Sequence, residues 1–212
     1  MLFRRAFLTA LPLGLLPLGL AAPALRAQTA DPARAIAQVE AFFNGITTLR
    51  ARFLQLGHHG QSAEGTARIW RPGRMRFDYD PPEPTLLIAA DGQFFHWDRL
   101  MREASIVPLS STPFAMLLRD PLELSGEITV EGVERAGGVI RLTLHRTGRE
   151  AEGRIQLVFD ETPMMLRQWA VQDAQGFITR VTLTEITLGE RFDPFQFAFN
   201  DPRFREELEQ AR

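Results

Sequence analysis

The chain has 212 residues, no cysteine, and 24 basic against 26 acidic side chains, a formal net charge of −2. That length suits one domain with a sizeable interior; the missing cysteine excludes a disulfide framework, a thiolate metal site, a cysteine nucleophile and lipid attachment at a cysteine behind a leader. The first 27 residues hold three of the basic groups and no acid, so the remainder carries 21 against 26, a balance of −5 that argues against nucleic acid as a partner.

Residues 1–27, MLFRRAFLTALPLGLLPLGLAAPALRA, have the basic start, apolar centre and small-residue end of a secretory signal peptide. The apolar run from Ala6 to Leu25 is about long enough to span a bilayer, yet Pro12, Pro17 and Pro23 with Gly14 and Gly19 break a spanning helix. Cleavage after Ala27 is therefore expected over a retained anchor, leaving residues 28–212 as a single soluble domain in the periplasm. Arg4-Arg5-Ala6-Phe7-Leu8 fits the twin-arginine pattern R-R-x-F-L as well as an ordinary basic start, and both routes end in that compartment.

Asp31-Pro32 is a helix start, a capping residue before a proline at the first helical position. Ile36, Val39, Phe42, Phe43 and Ile46 then recur at helical spacing and form an apolar face, either packed on a sheet or open to a ligand. From Leu49 the period changes to two. In residues 65–79 the pattern is strand, tight turn at Pro72-Gly73, strand: Ala67 and Ile69 share a face with Arg71, and Met75, Phe77 and Tyr79 alternate with Arg74, Arg76 and Asp78. Arg74 and Arg76 therefore fall on the charged, solvated face. Pro81, Pro82 and Pro84 predict an extended link off the ladder. Short strands follow over Thr85–Ala90, Phe94–Asp98 and Ile106–Leu109, with Asp91-Gly92 as a turn.

Ser110-Ser111-Thr112-Pro113 predicts a capped start for a short helix, Phe114 to Leu118, ended by Arg119-Asp120-Pro121. This helix is apolar on nearly all sides and must be covered on nearly all sides, so it should plug or cap something. Strands are then expected over residues 128–133, 139–145, 154–159, 166–171 and 177–188, with a last one through Phe195, Phe197 and Phe199. About ten strands at this spacing indicate a sandwich or barrel. Asp201–Arg212 is a charged tail.

Three segments in order, G-x-A-x-I-x-R-P-G-x-M-x-F-x-Y at 65–79, A-D-G-Q-x-F-x-W-D at 90–98 and S-S-T-P-F-A-M-L-L at 110–118, resemble the periplasmic outer-membrane lipoprotein carrier family, LolA. The likeness spans most of residues 31–200, and the closing segment departs from longer carriers, which add a further C-terminal element. The resemblance implies a mainly β fold: a curved antiparallel sheet forming an incomplete, half β-barrel, closed by the N-terminal helix and a short helical lid. It implies a monomeric periplasmic chaperone that takes acylated lipoproteins from an inner-membrane exporter complex to an outer-membrane receptor lipoprotein. It also implies that Arg71, the arginine of the R-P pair, bonds lid backbone in the closed state and lets go when cargo enters.

Read from the residues alone, Arg71 is an ordinary solvated edge residue with its stem packed on Ile69, and the resemblance is what favours the latch. The expected lid is Phe114, Met116, Leu117 and Leu118. The expected acyl-chain wall is Phe42, Phe43, Ile69, Met75, Phe77, Tyr79, Phe95 and Trp97. Such a wall needs no polar code, because each buried methylene of cargo contributes about 0.8 kcal/mol, but it does need a lid, since an open apolar surface of that size invites association.

An enzyme is not expected. His58, His59, His96 and His145 fall in no triad, metal or nucleophile motif, and no phosphate loop or paired-carboxylate motif is present, so no cofactor or metal is assigned. The His58-His59 pair lies in the polar link HHGQSAEG and reads as solvated loop. The alternative function is a lipid- or glycolipid-binding sensor or carrier on the same fold.

Overall fold

All but one of the strand pairings among the described residues join sequence neighbours, and that follows from the turns. Asp91 and Gly92 both take positive φ, +50° and +74°, the geometry of a two-residue hairpin whose twist matches its strands. Gly73 takes φ +74° after Pro72. The computed structural model describes residues 32–198; the leader, Asp31 with its cap, Phe199 and the tail 201–212 lie outside them.

Helix α1 (Pro32–Gly45) is followed by β1 (Thr48–Leu56), β2 (Ser62–Trp70), β3 (Arg74–Tyr79), β4 (Thr85–Ala90), β5 (Gln93–Asp98) and β6 (Glu103–Pro108). A single 3-10 turn, Leu109–Ser111, leads to α2 (Phe114–Leu117). The second run of strands is β7 (Ile128–Ala136), β8 (Val139–Arg146), β9 (Gly153–Glu161), β10 (Met164–Asp173) and β11 (Ile178–Leu188). The order across the sheet is β6-β5-β4-β3-β2-β1-β11-β10-β9-β8-β7, antiparallel throughout. Two meanders thus meet at one non-local seam, where β1 pairs with β11 from Leu49 opposite Leu188 to Leu56 opposite Arg180. The sheet does not close, and β6 and β7 are its edges.

One face carries the core. Leu49, Ala51 and Phe53 of β1, Met75 and Phe77 of β3, and Leu142, Leu157 and Trp169 of the second meander are all buried and belong to one apolar cluster. Helix α1 covers this face with Ala35, Val39 and Phe43, and the Phe42 and Phe43 rings meet Phe159 edge-on at 5.4 and 5.9 Å. Gly65 is needed where it stands: a Cβ there would come within 2.7 Å of the Phe53 ring, which lies across the sheet against Phe77 and Tyr79.

Several expectations are corrected. The segment through Phe195 and Phe197 is a 3-10 helix, Pro194–Phe197, because the Asp193 carboxylate accepts from the Phe195 amide at 3.0 Å and Pro194 starts the turn. Thr112 does not cap α2; its hydroxyl donates to the Leu109 carbonyl at 2.8 Å and closes the preceding turn. The proline-rich link after β3 starts as a turn, with the Glu83 amide donating to the Asp80 carbonyl at 3.0 Å. The described residues form eleven strands, in keeping with the ten or so expected.

Candidate functional site

Arg71 stands one residue past β2, and its backbone amide donates to the Thr47 carbonyl at 2.8 Å, which aims the side chain inward beneath the end of α1. The residue is 2% exposed. One terminal nitrogen donates to the Phe43 carbonyl and, at 3.5 Å, to that of Ile46; the other donates to the Arg119 carbonyl. The guanidinium carbon also lies 5.5 Å from the centre of the Phe43 ring. Burial pulls its proton affinity down from the ordinary value, and Asp120 partly offsets this.

The last carbonyls of a helix have no partner within it and mark the negative end of its dipole. A fork of guanidinium donors is suited to two such ends at once. Arg71 therefore joins the C-terminal ends of α1 and of the α2 segment, and the solvated alternative does not hold. A backbone bond runs parallel to it, from the Gly73 amide to the Leu118 carbonyl at 2.9 Å.

The α2 segment lies over the concave face. Phe114 stacks on Phe94, centroids 5.7 Å apart and planes 13° apart, and sits 6.4 Å from Phe77; Met116, Leu117 and Leu118 are buried. Beyond it the chain is held to α1 by bonds that the sequence pattern did not disclose. Asn44 donates to the Leu122 carbonyl at 3.0 Å and accepts from its amide at 2.7 Å, and Glu40 accepts from the Leu124 amide at 2.7 Å. The available signal was a polar pair four residues apart, Glu40 and Asn44, beside the apolar stripe of α1.

Of the expected wall, Phe43, Met75, Phe77 and Tyr79 are buried on the concave face, with Phe42 and Ile69 half-buried against the same cluster. Phe95 and Trp97 are not brought there. Phe95 pairs across from Ile88 and Trp97 from Leu86, and these four form a separate cluster on the other face. The concave positions of β5 are Phe94, opposite Ala89, and His96, opposite Leu87. A shift of one residue turns every side chain over, and here the Asp91-Gly92 turn fixes the register. Phe53, Phe159 and Trp169, the last 6.0 Å from Phe77, complete the aromatic lining and were missed.

Arg76 is not a solvated residue: it pairs with Asp78 at 2.7 Å and donates to the Gln196 carbonyl at 3.0 Å, fastening the C-terminal 3-10 turn to the convex face. Arg74 lies over the Trp70 ring at 4.2 Å. His58 and His59 are exposed, with the His58 ring 4.0 Å from Phe177. Among the described residues, no group of three or more His, Asp or Glu side chains is placed to hold a metal, and no helix is long and apolar enough to cross a membrane.

A family model described as "Outer membrane lipoprotein carrier protein LolA" matches residues 44–200. The chain belongs to the LolA family. A LolA relative, the outer-membrane lipoprotein carrier protein of Methylococcus capsulatus, is 27% identical over 174 residues, 78% of this chain and 83% of that one. The protein of the same name from Chromobacterium violaceum is 28% identical over 195 residues, 87% and 93% of the two chains. Among solved structures, a putative outer membrane lipoprotein-sorting protein domain from Vibrio parahaemolyticus superposes with a TM-score of 0.49 at 12% identity, over 78% of this chain and 95% of that one. As a LolA carrier the chain is a binding protein and not an enzyme.

Proposed function

We propose that this chain is a periplasmic chaperone that takes the acyl chains of lipoproteins into the concave face beneath α1 and α2, and carries them from an inner-membrane exporter to an outer-membrane receptor lipoprotein. It works as a monomer. The observation that carries the reading is the joint closure of an apolar concave face by two helical segments whose ends share one buried arginine.

Acyl chains and the α2 segment compete for the same wall. Phe114 covers Phe77 and Phe94 in the closed state, and Met116, Leu117 and Leu118 are buried in the same apolar cluster, so cargo must displace the segment. Arg71 is the latch: it sets the cost of that displacement through hydrogen bonds that charged donors make stronger than neutral ones. Affinity is then the gain from burying methylenes less the loss of lid contacts, and release needs only a partner that favours the lid.

The test adds purified residues 28–212 to spheroplasts holding outer-membrane-destined lipoproteins on their inner membrane. Acylated lipoprotein should appear in the supernatant, bound to this chain and in proportion to the amount added. No release, with free lipid or glycolipid alone found on the protein by mass spectrometry, would replace the lipoprotein carrier by a lipid sensor or a carrier of other lipids.

A further inference from the structure

The two edges of the open sheet are treated differently. β7 is blunted: a bulge shifts its register between Val130 and Gly132, and charged side chains stand along it, with Glu131 paired to Arg154 and Arg135 to Glu161. Bulges and charges are the usual protection of an edge against strand addition. β6 has neither. Its pairing with β5 runs unbroken from Glu103 to Pro108, Glu103 is its only charged residue, and all six residues are exposed, Ile106 at 55% and Val107 at 37%.

The alternation of an antiparallel ladder says which amides are free. The Leu109 amide donates to the Gly92 carbonyl at 2.8 Å, so Val107 and Ser105 face β5 in turn, and the backbone groups of Ala104 and Ile106 point away from the sheet. Pro108 confirms the parity, because it falls at an outward position, where a missing N–H costs the ladder nothing. Among the described residues β6 pairs only with β5.

Position supplies the occupant. The α2 segment crosses the gap between the sheet edges, with Ala115 and Met116 beside Ile128 and Arg146 on the β7 side and Leu109 continuing directly from β6. If acyl chains enter beneath this segment, the polypeptide attached to them leaves over one of the two edges. β7 is protected and β6 is open. We propose that β6 receives, by strand addition, the extended polypeptide that follows the acylated residue of the cargo. The inference rests on the carrier reading and adds to it a second determinant: main-chain bonds, which fix no sequence and suit a carrier of many different chains.

The test compares two probes on the purified exported protein: a ten-residue peptide with an S-diacylglyceryl cysteine at its N-terminus, and S-diacylglyceryl-N-acetylcysteine amide, which has the same acyl chains and no peptide. Hydrogen exchange at the Ala104 and Ile106 amides, read by NMR, should slow with the lipopeptide and not with the lipid. Ile106→Pro removes an outward amide and no β5 bond, and should weaken the lipopeptide about tenfold, the size of one or two net hydrogen bonds, leaving lipid binding unchanged. Lipopeptide binding without protection of these amides would overturn the edge and spare the carrier reading; failure of both probes to bind would overturn both. Protection already present in the unliganded protein would mean that a second copy or another part of this chain holds the edge, and would also overturn the inference.

Discussion

Arg71 carries a full charge where water does not reach it, and its value to the fold is a difference between two large quantities. Burying a guanidinium costs several kcal/mol, and hydrogen bonds to the Phe43 and Arg119 carbonyls return it only while both helix ends are in place. Arg71→Leu removes both sides of that balance. The expected result is a folded protein destabilised by about 1–3 kcal/mol, with more binding of an apolar dye in the absence of cargo and altered lipoprotein transfer. Wild-type dye binding together with wild-type transfer would leave Arg71 a structural residue only.

Tyr79 offers a second measurement at the same scale, because it is the only tyrosine in the chain. Burial raises the pKa of its phenol above the ordinary value and Glu83 raises it further, with a partial offset from its 2.7 Å hydrogen bond to Gln55. A group whose pKa is raised on folding contributes stability below its unfolded value, about 10, and loses that contribution as pH rises past it. Phenolate absorbance should therefore lag behind that of a free tyrosine and appear together with loss of tryptophan fluorescence. A phenol titrating near its ordinary value in an intact fold would mean that this part of the wall is open to water.

At the scale of elements, the α2 segment is held at both ends of its own sequence. After Leu118, the Arg119 side chain pairs with Glu127 just before β7 and holds that carboxyl below its ordinary value of about 4.5. A depressed carboxylate contributes stability above its unfolded pKa and loses it as pH falls through the folded one. Protease susceptibility within residues 109–127 should therefore rise as pH falls below about 4.5, and Glu127→Gln should be as susceptible at neutral pH as the wild type becomes in acid. Equal behaviour of the two proteins across that range would remove the pair from control of the segment.

Elements were the most legible level of the sequence, since period-two runs and Gly, Pro and Asp turns fix where strands begin and end. Facing was less legible. Met75, Phe77 and Tyr79 were placed correctly because the Pro72-Gly73 turn ties them to Ile69 and Ala67, whereas Phe95 and Trp97 were assigned to the wrong face. β4 is apolar on both faces, and in β5 the more apolar face, Phe95 with Trp97, is the convex one, so composition there points to the wrong side. The bonds of Asn44 and Glu40 to residues 122–124 span about eighty positions, and no local pattern announces a contact of that range.

For the molecule as a whole, the core and the proposed binding surface are the same surface. A free protein of this kind is stable because its own side chains occupy the site, so ligand should have opposite effects in different places. Saturating diacylated ligand should raise the melting temperature, by mass action worth about 2.7 kcal/mol at a hundred times Kd, while hydrogen exchange within residues 109–118 becomes faster. Uniform slowing across the chain would mean that ligand binds without displacing the lid.

Residues 109–127 are at once the cover of the concave face and the whole of the connection between β6 and β7, the two outermost strands. A cover attached at both margins of an open arc is a strap, not a hinged door: lifting it changes the span that it bridges. Bulkier cargo should then bend the arc wider, so that the number and length of acyl chains taken up are recorded in the spacing of the two edge strands.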